Sequence, residues 1–148
     1  MDATDCAGQL LSTIPLVMRT IKIRMRGNRP ANLSVPQFRV LAYLRRHEGA
    51  SLSDAAEHVG LTLPTVSRLV DGLVKHGSVE RETSSEDRRR VTLKLSKAGR
   101  SLLDNASRET RARLAEMLET LPEEKQAEIA GAMESLRQVF SPHPESPG

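Results

Sequence analysis

Up to His76 the apolar side chains recur every three or four positions, and residues that end helices interrupt them at short intervals. Leu10, Ile14, Val17, Met18, Ile21 and Met25 share one side of a first helix, while Arg19, Lys22 and Arg26 share another. Pro15 falls inside that pattern, so the helix is expected either to start near Ser12 or Thr13 or to kink. GNRPAN, residues 27–32, then breaks the chain. Ser34 with Gln37 fits a capping box before FRVLAYLRRHEG, and Gly49 is expected to close that second helix. A third, short helix should run from about Ser53, as its cap, to Val59, with Gly60 as its stop. Thr62 can cap a fourth, which carries Pro64 in its first turn and ends near His76 before Gly77.

The period then falls to two. SVERE, residues 78–82, and VTLKLS, residues 91–96, read as strands, the second with Val91, Leu93 and Leu95 on one face and Thr92, Lys94 and Ser96 on the other. An antiparallel hairpin follows. Its loop, Thr83 to Arg90, has more residues than the two to five or so that hairpins commonly use, and over-long loops tend to have a task. After Ser96, a helix cap, a long helix is expected to about Leu121 with Leu103, Ala106, Leu114, Met117, Leu118 and Leu121 on its apolar side. LPEE, residues 121–124, starts another, continued by Ile129, Met133, Leu136 and Phe140. The Pro-rich end, residues 141–148, is expected to be disordered.

This order predicts a fold that is mainly α with a small antiparallel β-hairpin. It is a winged helix-turn-helix, residues 34–96, flanked by helical regions at 8–27 and 97–140 within one domain spanning 1–140. The flanking helices carry apolar stripes that so small a lobe cannot cover, so they are expected to pair with a second copy as a homodimer. In the helix-turn-helix itself Ala56, Gly60 and Val66 supply a small contact residue, a turn residue and an apolar anchor.

Composition agrees with packed helices. Of 148 residues 38% are hydrophobic, and the aromatic ones are only Phe38, Tyr43 and Phe140, so aliphatic side chains must build the core. No apolar run approaches the roughly 18 residues that cross a bilayer, and no signal-peptide pattern is visible. A lone cysteine, Cys6, cannot form an internal disulfide. A cytoplasmic protein without a membrane partner is expected.

Charge adds a direction. The net charge is only +3, yet residues 1–100 hold 17 Lys and Arg against 10 Asp and Glu, while residues 101–148 hold 5 against 9. From Arg19 to Arg46 there are eight basic residues and no acidic one, which suits a polyanion or an ordinary solvated face. In the fourth helix Val66, Leu69, Val70, Leu73 and Val74 should be buried. Thr65, Ser67, Arg68, Asp71, Gly72 and Lys75 are left toward water or a partner. Hydroxyls and an arginine near a helix start suit phosphates and base edges, and Arg68 can donate two hydrogen bonds to guanine. SSEDRRRV, residues 84–91, holds three arginines at the hairpin tip, where mutual repulsion is offset if the tip lies over a minor groove. Either acid, Glu86 or Asp87, can hold a guanidinium in place.

Two function classes remain open on these grounds: a DNA-binding regulator, and a winged helix that binds an acidic protein partner. The chain shows no Gly-rich phosphate loop, metal motif or nucleophile elbow, so it is not expected to be an enzyme. His47, His58, His76 and His143 lack ligand spacing, and no metal or other cofactor is expected.

The stretches SVPQFRVLAYL, LTLPTVSRLVDGLVKHGSVERE and SSEDRRRVTLKLSKAGRSLL, covering residues 34 to 103, resemble the MarR family of bacterial transcription regulators. The resemblance implies a homodimeric, ligand-responsive repressor whose first and last two helices interlock. Each subunit would present its fourth helix to the major groove of a pseudo-palindromic operator. It matches the family's Asp-x-Arg wing motif to Asp87, Arg88 and Arg89, which assigns Arg89 to the minor groove and Asp87 to its support. Arg90 stands where the family more often has an apolar or small residue. The DNA contacts so expected are Ser34, Thr62, Pro64, Thr65, Ser67, Arg68, Lys75, Asp87, Arg88, Arg89 and Arg90. The resemblance also implies a small, often phenolic or anionic effector, for which Arg19, Lys22, Arg39 and Arg45 are candidates. Cys6 lies too near the start of the chain, and with Tyr43 alone for support, to match the oxidant-sensing members, so an inert thiol is expected.

Overall fold

The computed structural model describes residues 1–83, 86, 87 and 90–141. The chain divides into two compact units, Met1–Thr110 and Arg111–Gly148. Among the described residues there are six helices and three strands: α1 Ala3–Gly27, α2 Val35–Arg46, β1 Ala50–Ser51, α3 Leu52–Val59, α4 Leu63–Lys75, β2 Val79–Thr83, β3 Val91–Leu95, α5 Lys97–Leu118 and α6 Glu123–Phe140.

The first helix starts well before the expected Ser12 or Thr13. Asp2 accepts the Asp5 N–H at 2.9 Å and the Asp5 carboxylate accepts the Asp2 N–H at 3.1 Å. That reciprocal cap fixes the start upstream, and Pro15 is carried inside the helix. The apolar periodicity, which begins only at Leu10, does not reveal this cap. At its other end, Arg29 donates to the carbonyls of Leu33, 2.9 Å, and Arg26, 2.7 Å, which fastens the turn into α2.

The cap of α2 is the expected one: Ser34 Oγ accepts the Gln37 N–H at 3.2 Å and Gln37 Oε1 accepts the Ser34 N–H at 3.0 Å. This helix ends at His47, not at Gly49. Gly49 instead takes φ +86° two residues on and donates its N–H to the Leu93 carbonyl at 3.0 Å, which brings the chain into β1. β1 is a two-residue strand, too short to show alternation, and it adds to the hairpin to give the antiparallel order β1-β3-β2. Ala50 faces Leu93, and Val79 faces Leu95 across the other edge of β3. The expected alternation in β3 is present, with Leu93 and Leu95 buried.

The Ser53 assignment is corrected. Ser51 is the cap of α3: its Oγ accepts the Asp54 N–H at 3.1 Å, and Asp54 returns the bond to the Ser51 N–H at 3.0 Å. Ser51 has Asp54 three residues on and so completes a reciprocal box, whereas Ser53 has Ala56 there and cannot. The core of this unit is aliphatic. Val40, Leu41, Ala55, Val66, Val70, Leu73 and Leu93 are fully enclosed, together with Phe38, Leu44 and Leu103. Burying each such side chain stabilises the fold by about 1.5–3 kcal/mol before chain entropy is counted.

Where α5 begins, Ser96 Oγ accepts the Gly99 N–H at 3.1 Å, the expected cap. Gly99 is buried against the Ser78 carbonyl, and Ser78 is itself enclosed, donating to Leu73 O at 2.9 Å and accepting the Ser96 N–H at 3.0 Å. The helix ends at Leu118 and not near Leu121, where Thr120 donates to the Met117 carbonyl at 2.7 Å.

The second unit contains the end of α5 and all of α6. Its large apolar side chains remain open to solvent, including Met117, Leu118, Ile129, Met133 and Phe140. In the first unit α1 also buries no residue completely: Ile14, Ile21 and Met25 are half-covered and Leu11, Leu16 and Ile23 are exposed. No helix among the described residues is long and apolar enough to cross a membrane. Of the expected disordered tail, residues 142–148 lie outside the described residues.

Candidate nucleic-acid interface

The turn between α3 and α4 is set by glycine. Gly60 at φ +74° and Leu61 both donate to the Ala56 carbonyl, at 2.9 and 3.2 Å, so the chain reverses over a small residue, as the Ala56, Gly60, Val66 spacing requires. Thr62 then caps α4, accepting the Thr65 N–H at 3.4 Å, with the two hydroxyls 2.8 Å apart. Val66, Val70 and Leu73 fix one side of the helix in the core.

The opposite side is bare. Thr62, Pro64, Thr65, Arg68 and Lys75 are exposed, and Ser67 is half-buried. Ser34 is exposed as well, although its hydroxyl serves the α2 cap. Two residues expected to face outward are engaged instead. Gly72 lies against α2, where a Cβ would stand 2.8 Å from Gln37 Nε2, and that amide donates to the Leu69 carbonyl at 3.5 Å. Asp71 accepts from the Arg81 guanidinium on β2, tying α4 to the hairpin. Neither Gln37 nor Arg81 was singled out from the sequence as a support of this surface. The only hint was an acid on the exposed side of an otherwise neutral or basic helix.

On the hairpin, Lys94 bridges Glu82 and Glu80, and hydrogen bonding to Glu82 first, then its charge, raises the lysine above its ordinary value. The Asp87 carbonyl accepts the Arg90 N–H at 3.0 Å. Asp54 is held below its ordinary carboxylate value, first by the backbone and side-chain hydrogen bonds from Ser51, then by the charges of Arg90 and His47. Ser84, Ser85, Arg88 and Arg89 lie outside the described residues, so the expected Asp87–Arg89 support falls there too.

The effector candidates separate into two pairs. Arg19 and Lys22 are exposed on α1. Arg39 donates to the Val59 carbonyl at 3.3 Å and Arg45 pairs with Asp104, so both help hold the lobe together. Tyr43 stacks on His47, its neighbour one helical turn on, at 4.3 Å and on His58 of α3 at 4.6 Å between ring centroids, and only the second contact is distant in sequence. Among the described residues no group of acids, histidines and cysteine is arranged to hold a metal, and Cys6 is exposed.

A capped helix with one bare side, joined by an ion pair to an antiparallel hairpin, defines a winged helix-turn-helix protein. Residues 31–90 match the model described as MarR family. The chain is 38% identical over 101 residues to the "Uncharacterized HTH-type transcriptional regulator YfiV" of Bacillus subtilis, covering 68% of this chain and 63% of that one. It is 29% identical over 107 residues to the HTH-type transcriptional repressor Rv2887 of Mycobacterium tuberculosis, covering 72% and 77%. Among solved structures, the transcriptional regulator Tm0710 of Thermotoga maritima superposes with a TM-score of 0.77 at 20% identity, over 86% of this chain and 90% of that one. A Staphylococcus aureus MepR variant bound to an oligodeoxyribonucleotide gives 0.65 at 20% identity, over 86% and 95%. The MarR-family match thus spans the helix-turn-helix and the first strand of the hairpin, and the chain covers less than two thirds of the length of the YfiV regulator.

Proposed function

We propose that the chain is a cytoplasmic, homodimeric repressor that binds a pseudo-palindromic operator and releases it when a small molecule binds. α4 enters the major groove, with Arg68 on a base edge and Thr62, Pro64, Thr65, Ser67 and Lys75 on bases or phosphates, and Ser34 reaches the flanking backbone. Arg88 and Arg89 on the wing occupy the adjacent minor groove, with Asp87 as support and Arg90 at the base of the wing. The observation that carries this reading is the asymmetry of α4, fully enclosed on the Val66, Val70, Leu73 side and bare along Thr65, Arg68 and Lys75.

Homodimerisation is supported by the uncovered apolar side chains of α1 and, separately, of α5 and α6, which a second copy would cover. Half-sites on the order of one helical turn apart follow from twofold symmetry. For the effector, Arg19 and Lys22 are the better candidates, because Arg39 and Arg45 are already spent on the lobe's own contacts. The test is a duplex-binding titration against salt, using operator fragments recovered by genome-wide DNA pull-down. A steep loss of affinity with ionic strength and a strong preference for the recovered sequence are expected. A monomer indifferent to sequence would refute the reading and favour an acidic protein partner.

A further inference from the structure

Between residues 28 and 110 the described large aliphatic side chains are buried or half-buried except Leu61 and Leu63, which are 39% and 48% exposed. Single exposed leucines are common on protein surfaces. These two, however, stand on either side of Thr62, at the end of α4 that also carries exposed Pro64, Thr65 and Arg68. An apolar side chain here gains nothing from phosphates. The one apolar group that a base pair presents in the major groove is the C5-methyl of thymine.

We infer that Leu63 contacts a thymine methyl group in each half-site and is a specificity-determining residue of DNA recognition. The inference rests on the proposed entry of α4 into the major groove. Leu63 is chosen over Leu61 because it is the first residue of the helix, where the Thr62 cap and the ring of Pro64 fix the backbone, whereas Leu61 belongs to the preceding turn. Base contacts of such helices come from their N-terminal residues. A leucine there favours thymine over cytosine by the methyl alone.

The experiment replaces each thymine of the recovered operator singly by deoxyuridine, which removes only the methyl, and measures affinity for the full chain. At one position per half-site the unsubstituted protein should lose about four-fold, the factor that corresponds to uncovering one methyl group. With Leu63→Ala that loss should disappear at that position alone, while Leu63→Met, which keeps an apolar side chain, should retain it. Thermal melting checks that both variants remain folded. Methyl penalties identical in wild type and Leu63→Ala overturn the inference, as does a dependence that follows Leu61→Ala instead. Protection of guanine N7 from dimethyl sulfate, a major-groove probe, distinguishes the causes. Protection without a residue 63 dependence removes only this inference, and absent protection removes the placement of α4.

Discussion

Arg81, in the middle of β2, pairs with the carboxylate of Asp71 on α4, so an ion pair joins the hairpin to the helix proposed to read DNA. Both partners are partly exposed, with side chains 36% and 50% accessible, and an exposed pair contributes at most about 1 kcal/mol to stability. Its larger effect should be on DNA. Asp71 is an acid on the outward side of α4, and only its guanidinium partner keeps it from repelling phosphates. Arg81→Ala should therefore weaken operator binding several-fold while melting changes little. Asp71→Asn should be mild, and the double substitution should bind better than Arg81→Ala alone. A double-mutant cycle in duplex titrations checks the order, and simple additivity would assign the pair no role in binding.

The order of elements was legible because each boundary carries its own chemistry: Ser34 with Gln37, Gly60, Thr62 with Pro64, and the alternation of Val91, Leu93 and Leu95. What escaped depends on partners distant in the chain. Asp71 reads as a solvent-facing acid until β2 brings Arg81 to it. The bare side of α4 was legible from periodicity, whereas the supports beneath it, Gln37 against Gly72 and Arg81 against Asp71, required the fold.

The two serines give a direct comparison. Ser51→Ala removes the oxygen that accepts the Asp54 N–H and should destabilise the protein by roughly 0.5–2 kcal/mol. Ser53→Ala, inside the first turn and exposed, should stay within about 0.5 kcal/mol of wild type. Urea titrations of the two variants at neutral pH decide it, and the reverse ranking would place the cap back at Ser53.

Two helical glycines should respond in opposite directions to alanine. At Gly99 a Cβ collides with the carbonyl of Ser78, a backbone atom in an enclosed turn that cannot rotate away, so Gly99→Ala should cost about 1–3 kcal/mol by forcing α5 from the sheet. At Gly131, in α6, a Cβ meets nothing within 4 Å, and Gly131→Ala should stabilise by up to about 1 kcal/mol through helix propensity alone. Differential melting of the pair measures the contrast. Equal responses would mean that the approach of α5 to Ser78 is not tight.

Asp54 makes part of the stability of the lobe depend on pH. Its folded carboxyl is held below the ordinary value by Ser51, with Arg90 and His47 contributing charge. A carboxyl depressed by folding contributes fully above its unfolded value, near about 3.9, and loses that contribution as pH falls through the lower, folded value. Melting temperature should therefore fall as pH is lowered from 5 toward 2. The slope should flatten in Asp54→Asn, which cannot titrate, and only slightly in Ser51→Ala, which loses the hydroxyl but keeps the larger contribution, the residue 51 N–H donated to the Asp54 carboxylate. Arg90→Gln should change the slope less, since its charge ranks below the Ser51 contacts. An unchanged acid slope in Asp54→Asn would mean that other carboxylates govern acid unfolding.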